Sequence, residues 1–461
     1  MRSVDQNLPG RFFLIFILFF FRLQQVLKSK TRFHELLQRV RTSVEKLLMA
    51  RTPHFRKSAN TQKKLVSKAG AVEPKFVSKG AAAGPNPSAT FRAVVYARAS
   101  GEGIDVVEKP CHAAGSSPVA GVIRVDVKAC GVNPVDAKYC VGDKLPEWLP
   151  EGLRRWTVDG GGVGFDFSGI VSAVPSEDSC GFSVGDRVFG SMPPLQASFA
   201  EIAEVPAHQL AVMPSTIDFT AAAALPLVST TAMQALRHRH GLRAGQRILI
   251  IGASGGVGSI AVQLAKHIVG ASGHVAAICS GRNHALVRGL GADALFDYTL
   301  GLDALFAGLV TQYTSRRSAG SLEQFDLVFD CVSSLEAKDY AFDYCPRMHA
   351  SGLLKAKLNA SETSRSNYIT IGGAAGDWLR AGLRRSWFGL NWFTADHELF
   401  WVEFPNSRSV LEEVAEAVDA GALRPLIEPV PVKRFISVEP VRTAFSRLHS
   451  RRVRGKLVLV L

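Results

Sequence analysis

Beyond residue 90, apolar residues come in short blocks cut by glycine, proline and charged turns. The runs 121-GVIRVDVKACGV-132, 164-GFDFSGIVSAV-174 and 183-SVGDRVFG-190 are Val-rich and end in turn residues, which predicts the strands of a small irregular β-barrel. The pattern changes in 247-RILIIGASGGVGSIAVQLAKHI-268. Ile248, Leu249, Ile250 and Ile251 form an unbroken apolar run suited to a parallel strand buried on both faces. Ile260, Leu264 and Ile268 then recur on one helical face. The runs 274-HVAAIC-279, 289-GLGADALFDYT-299, 325-FDLVFDCVSS-334 and 368-YITIGG-373 continue the alternation. Strand and helix in turn predict an α/β domain with a doubly wound parallel sheet over 228–375. The preceding 93–227 forms the β-barrel domain. Because 454-RGKLVLVL-461 again reads as a strand, the chain is expected to return through 376–461 to complete that first domain.

The turn between the predicted strand and helix carries candidate chemistry. Gly252 lets the chain leave the strand sharply, and Gly255 and Gly256 let backbone N–H groups approach an anion. Gly258 permits close packing of helix on sheet. The helix N-terminus adds unpaired donors and a positive dipole end suited to a pyrophosphate. The loop departs from plain GxGxxG at Ser254. A cofactor with a free ribose 2′-hydroxyl usually meets an acid after the second strand, whereas a 2′-phosphate needs donors or cations. The stretch 278-ICSGRN-283 supplies Ser280 and Arg282 and no acid, which favours NADPH. Alternatively, Arg282 is only a solvated surface charge.

Charge excludes one class of function. Of 54 basic and 40 acidic residues, 18 and 4 lie in residues 1–92, leaving 36 of each sign for 93–461. The net charge of +14 is therefore a property of the leader, and no nucleic-acid partner is expected for the body. The leader opens with 12-FFLIFILFFF-21, too short to span a membrane but suited to a signal-type core or to peripheral membrane contact. Leu36, Leu37, Val40, Val44, Leu47 and Leu48 follow at helical spacing among Arg and Lys, a transit-peptide pattern pointing to mitochondria, with plastid or cytoplasm as alternatives. Seven cysteines without a CxxC pair fit a reducing compartment.

Taken in order, 131-GVNPVD-136, 164-GFDFSG-169, 183-SVGDRVFG-190, 198-SFAE-201, 231-TAMQAL-236, 252-GASGGVGS-259, 278-ICS-280, 296-FDY-298 and 454-RGK-456 resemble the zinc-free quinone oxidoreductase branch of the medium-chain dehydrogenase/reductase superfamily. Within it, 411-LEEVAEAVDAGALRPLIE-428 is most similar to the mitochondrial reticulon-interacting oxidoreductases. The resemblance covers about 93–461. It implies a GroES-like β-barrel domain and a Rossmann domain with NADPH held between them, and a homodimer, as relatives often form. It places Ser254, Gly255, Gly256, Val257 and Gly258 along the pyrophosphate, Ser280 and Tyr298 at the adenosine phosphate, and Thr231 by the nicotinamide. The loops 144–162 and 353–367 depart from the family pattern and leave the substrate open.

The stretch 130-CGVNPVDAKYC-140 could suggest a metal site. Zinc-dependent relatives place a cysteine at Asn133 and a His-Glu pair at Phe165 and Asp166, and zinc takes about four soft or imidazole ligands. No metal is expected here. Without a Lewis acid the chemistry moves from alcohol oxidation to hydride delivery onto a quinone or α,β-unsaturated carbonyl. Asn133 would then offer an amide donor and Lys138 a cation or proton near the acceptor oxygen. Equally, Asn133 and Asp136 could only brace the loop. A second class of function stands beside the enzyme: an NADPH-binding accessory protein of an organelle pathway with little turnover.

Overall fold

The computed structural model describes residues 90–97, 103–110, 117–140, 160–176, 178–192, 195–239, 241–314, 323–332, 344–355, 366–371, 398–399, 407–428 and 436–461. All lie in one compact unit, Pro87–Ala374 with Leu390–Leu461. Residues 1–89 of the leader, 144–159 of the long loop and 356–365 of the insertion lie outside the described residues.

The strands are β1 (Thr90–Ala97), β2 (Gly103–Pro110), β3 (Val122–Val132), β4 (Asp166–Ala173), β5 (Arg187–Ser191), β6 (Ile202–Pro206), β7 (Leu210–Val212), β8 (Arg247–Ile251), β9 (His274–Cys279), β10 (Ala294–Asp297), β11 (Leu327–Asp330), β12 (Tyr368–Thr370), β13 (Glu398–Leu399), β14 (Ile427–Glu428) and β15 (Lys456–Val460). The helices are α1 (Pro134–Cys140), α2 (Phe219–Ala223), α3 (Pro226–Met233), α4 (Gly256–Val269), α5 (His284–Gly289), α6 (Leu302–Tyr313), α7 (Tyr344–Ala350), α8 (Arg408–Asp419) and α9 (Val438–His449). Among the described residues no helix is long and apolar enough to cross a membrane.

β1 and β2 form an antiparallel pair. A curled sheet runs β14-β15-β3-β4-β5-β7, with β6 also on β3. The C-terminal strand β15 lies antiparallel to β3, with Leu457 opposite Val132, so the chain does return to this sheet. Tyr96, Ile123, Val125, Phe167, Val188 and Leu459 fill its core.

The other sheet is parallel, in the order β10-β9-β8-β11-β12-β13. Ile248 and Ile250 of β8 pack with α4 and α8 on one face, while Leu249 and Ile251 pack with α6 and α7 on the other. Two covered faces explain why β8 shows no polar alternation. The sheet extends past residue 375, because β13 pairs with β12 through Ile369 and Glu398. The 237-RHRH-240 run begins in a π-helical turn, Gln234–Arg239, that continues α3.

Candidate cofactor cleft and buried lysine cluster

The glycine-rich turn leaves β8 at Gly252, whose φ of +79° suits only a residue without Cβ. Gly255 donates its N–H to the Gly252 carbonyl at 3.0 Å and begins α4 with no side-chain cap. The first N–H groups of α4 thus have no side-chain cap, which leaves the positive end of the helix dipole without a capping acceptor. A Cβ at Gly258 would collide with the Gly252 carbonyl oxygen, so that glycine sets how closely helix and turn approach. Val257 is half-buried beside it.

A second segment holds this turn in place. Gly455 donates to the Ser254 carbonyl at 2.8 Å, and Gly255 bridges Gly455 in parallel. The Ser254 hydroxyl accepts from Asn283 Nδ2 at 3.0 Å. Asn283 is buried, with its Oδ1 lacking a partner. Ser280 is buried at the end of β9, while Arg282 is exposed. Tyr298, half-buried after β10, accepts a hydrogen bond on its hydroxyl from Arg452 Nη1 at 2.9 Å. An acid does stand near the β9 loop, contributed by β10. Asp297 accepts from Thr299 N and Oγ1 at 2.8 and 2.7 Å. Slight burial opposes its charge, but the bonds from Thr299 and from the Gly281 amide hold its carboxyl below the usual range. Thr231, buried on α3, donates its hydroxyl to the Leu227 carbonyl at 2.6 Å.

A polar cluster lies buried beneath the turn. Lys456 Nζ donates to Asp166 Oδ2 at 2.8 Å and to Asn133 Oδ1. Asn133 Nδ2 donates to Asp166 Oδ2 at 3.0 Å and to the Gly131 carbonyl at 3.4 Å. The other Asp166 oxygen accepts from Leu227 N at 2.9 Å. Asp136 Oδ2 accepts from Asn133 N at 2.7 Å, and Tyr96 donates its hydroxyl to the Asp136 carbonyl. The Lys456 and Asp166 side chains are 5% and 0% exposed. Burial, aided by the neighbouring Asp166 charge, pushes Asp136 up to about 8 against the bond from Asn133 N and the Lys456 charge. The Asp136 carboxyl is therefore largely neutral at pH 7.

The arrangement brings Asn133 and Asp166 together, but around an ammonium. A protonated lysine has donors only and cannot ligate a metal. Phe165, Asn133 and the lysine-paired Asp166 thus do not fit zinc. Among the described residues no group of three or more His, Cys, Asp or Glu could hold a metal ion. Cys130 is buried with its thiol on the Ser198 carbonyl at 3.0 Å, and burial, then Asp136 and Asp166, raise its pKa. Both Asn133 amide hydrogens are directed at protein acceptors. Lys138 sits on α1, with its side chain outside the described residues. Lys456, Asn283 and Arg452 had no assigned role in the sequence, although 454-RGK-456 belonged to the motif set.

Comparison with known proteins extends this picture. Residues 120–215 match the alcohol dehydrogenase GroES-like domain family, and residues 290–459 match the zinc-binding dehydrogenase family. The mitochondrial NAD(P)H oxidoreductase RTN4IP1 of Mus musculus is 30% identical over 364 residues, covering 73% of this chain and 81% of the relative. The chain belongs to the medium-chain dehydrogenase/reductase superfamily. A chloroplastic NADPH-dependent alkenal/one oxidoreductase of Arabidopsis thaliana is 37% identical over 206 residues, covering 43% of this chain and half of the relative. The quinone oxidoreductase structure from Coxiella burnetii shares the fold at a TM-score of 0.58 and 22% identity, covering 81% of this chain and 100% of that one. Within this superfamily the uncapped α4 turn fits the pyrophosphate of a nicotinamide dinucleotide.

Proposed function

We propose that this superfamily member is an NADPH-dependent oxidoreductase that delivers hydride to quinones or α,β-unsaturated carbonyls without a metal. The observation that carries the reading is Lys456, whose ammonium ties Asn133 to Asp166 where zinc-dependent relatives hold their ion. The names of the RTN4IP1 and alkenal/one relatives support the reaction class.

Bound NADPH supplies the hydride through its nicotinamide ring. Ser254, Gly255, Gly256, Val257 and Gly258 hold the pyrophosphate against the N-terminus of α4. Ser280, Arg282 and Tyr298 hold the adenosine phosphate end, and Thr231 lies beside the nicotinamide. Asn133 braces the cluster, because its amide hydrogens already serve Asp166 and Gly131. Lys138 is the candidate cation or proton source for the acceptor oxygen. A conjugated acceptor suits this equipment, since its developing oxyanion needs donors and no Lewis acid. The protein acts as a homodimer in mitochondria, delivered there by residues 1–92.

Stopped-flow oxidation of enzyme-bound NADPH by a panel of quinones and enones tests the reading. Oxidation well above the buffer rate is expected. No oxidation across the panel would overturn catalysis and leave the accessory-protein reading.

A further inference from the structure

Where the chain enters β15, two adjacent residues hold different halves of the molecule. Gly455 donates to the Ser254 carbonyl at 2.8 Å and pairs with Gly255, which ties it to the glycine-rich turn. The Lys456 side chain runs from that turn into the curled sheet. A methyl on Gly256 would lie 3.7 Å from its Cδ, and one on Gly131 would lie 3.1 Å from its Cε, so two glycines leave the stem its channel. The ammonium ends on Asn133 Oδ1 and on Asp166 Oδ2. Asp166 in turn holds α3, because its other oxygen accepts from Leu227 N at 2.9 Å, and the Leu227 carbonyl accepts from the Thr231 hydroxyl at 2.6 Å. A methyl on Gly256 would also lie 3.3 Å from Val228 Cγ1, so α3, the turn and the lysine stem meet at one point.

We infer that Lys456 is a positioning residue for hydride transfer: it holds the cofactor turn, the part of α3 that carries Thr231 and the 131–136 segment in one frame, so that occupancy of the turn is felt at the acceptor side. This rests on the hydride-transfer reading above and adds the residue that joins its two halves. Stability alone does not account for the buried pair, since well-packed apolar side chains often replace such a pair at no loss. Alignment supplies the missing reason. Hydride transfer needs reacting atoms about 3–3.5 Å apart, and a misplacement of about 1 Å costs on the order of 100-fold in rate. In that reading Thr231 serves the nicotinamide, while α1, which follows Asn133, serves the acceptor. Lys456 reaches Asn133 directly and Thr231 through Asp166 and Leu227.

The test uses the full-length protein and 2′-phospho-ADP-ribose, a cofactor fragment that ends before the nicotinamide, with hydrogen exchange read by mass spectrometry. In wild-type protein the fragment should slow exchange at 252–258 and also at 131–136. Lys456→Met alone leaves Asp166 uncompensated and is expected to fold poorly, so the comparison variant combines Lys456→Met with Asp166→Asn and removes both charges. There 252–258 should stay protected by the fragment and 131–136 should not respond. With NADPH and a simple enone, the double variant should bind NADPH within about threefold of wild type but transfer hydride roughly 10- to 100-fold more slowly, as when an interaction made only in the transition state is lost. No response at 131–136 in wild-type protein would overturn the coupling whether or not the variant folds. A double variant that keeps both the response and the wild-type rate would show that Lys456 only supports the fold, and NADPH affinity falling as far as the rate would place its effect on binding instead. Each of these three outcomes overturns the positioning role and leaves the proposed function standing. If the fragment protects nothing at 252–258, or wild-type protein moves no hydride to any enone, the proposed function itself fails and Lys456 has nothing to align.

Discussion

Replacing Lys456 by Met keeps the length of the side chain and removes its charge. It leaves the Asp166 carboxylate, 0% exposed, with hydrogen bonds from Asn133 Nδ2 and Leu227 N but no counter-charge. Breaking one partner of a buried ion pair costs about 3–5 kcal/mol, whereas an exposed pair is worth about 0–1 kcal/mol. Arg237 and Glu413, with side chains 56% and 37% exposed, serve as the exposed reference through Glu413→Gln. Chemical denaturation followed by circular dichroism should show a large fall in midpoint for Lys456→Met and almost none for Glu413→Gln. Asp166→Asn added to Lys456→Met should recover much of the loss, because the uncompensated charge disappears. Equal, small effects of Lys456→Met and Glu413→Gln would refute the buried-pair account, as would a double variant worse than the sum of its parts.

Three further outcomes are expected. Burial raises Asp136 from the usual 3.8 to about 8, so folding retains a proton that the unfolded chain releases. Its contribution is fully present below about pH 4 and is lost as pH rises through about 8, and Asp136→Asn should flatten that part of the stability–pH profile relative to wild type. Gly258→Ala pushes a methyl into the Gly252 carbonyl and should cost about 1–3 kcal/mol of stability while weakening NADPH in a calorimetric titration; unchanged affinity would show the turn is not the pyrophosphate site. Residues 1–92 fused to a fluorescent reporter should carry it into mitochondria, and cytosolic retention would refute the targeting reading.

The sequence disclosed what local patterns encode. β8, the turn and α4 were legible because the glycines, the apolar run and the helical periodicity lie within one contiguous stretch. The return of β15 to the first sheet was also visible from its composition. The lysine cluster was not, because it joins residues 133, 166 and 456, and Lys456 opens a strand, where a lysine ordinarily reads as a surface charge. Arg452 meets Tyr298 from 154 positions away, so its sequence neighbourhood shows only another basic loop. Asp297 escapes a local reading for a related reason: the acid near the β9 loop comes from the next strand. The two residues of β13 have no periodicity to detect, which is why the parallel sheet runs farther along the chain than its apolar blocks suggest.

The proposed reaction is hydride transfer from NADPH to a conjugated acceptor without a metal. It is tested most directly by a single-turnover reaction of chelator-treated, metal-depleted enzyme with NADPH deuterated at C4 and a simple enone, the product being read by mass spectrometry and NMR. Deuterium is expected on the β-carbon of the saturated ketone at a rate that added zinc does not raise. Reduction that appears only when zinc is restored, or a product without deuterium from either face of the cofactor, would contradict it.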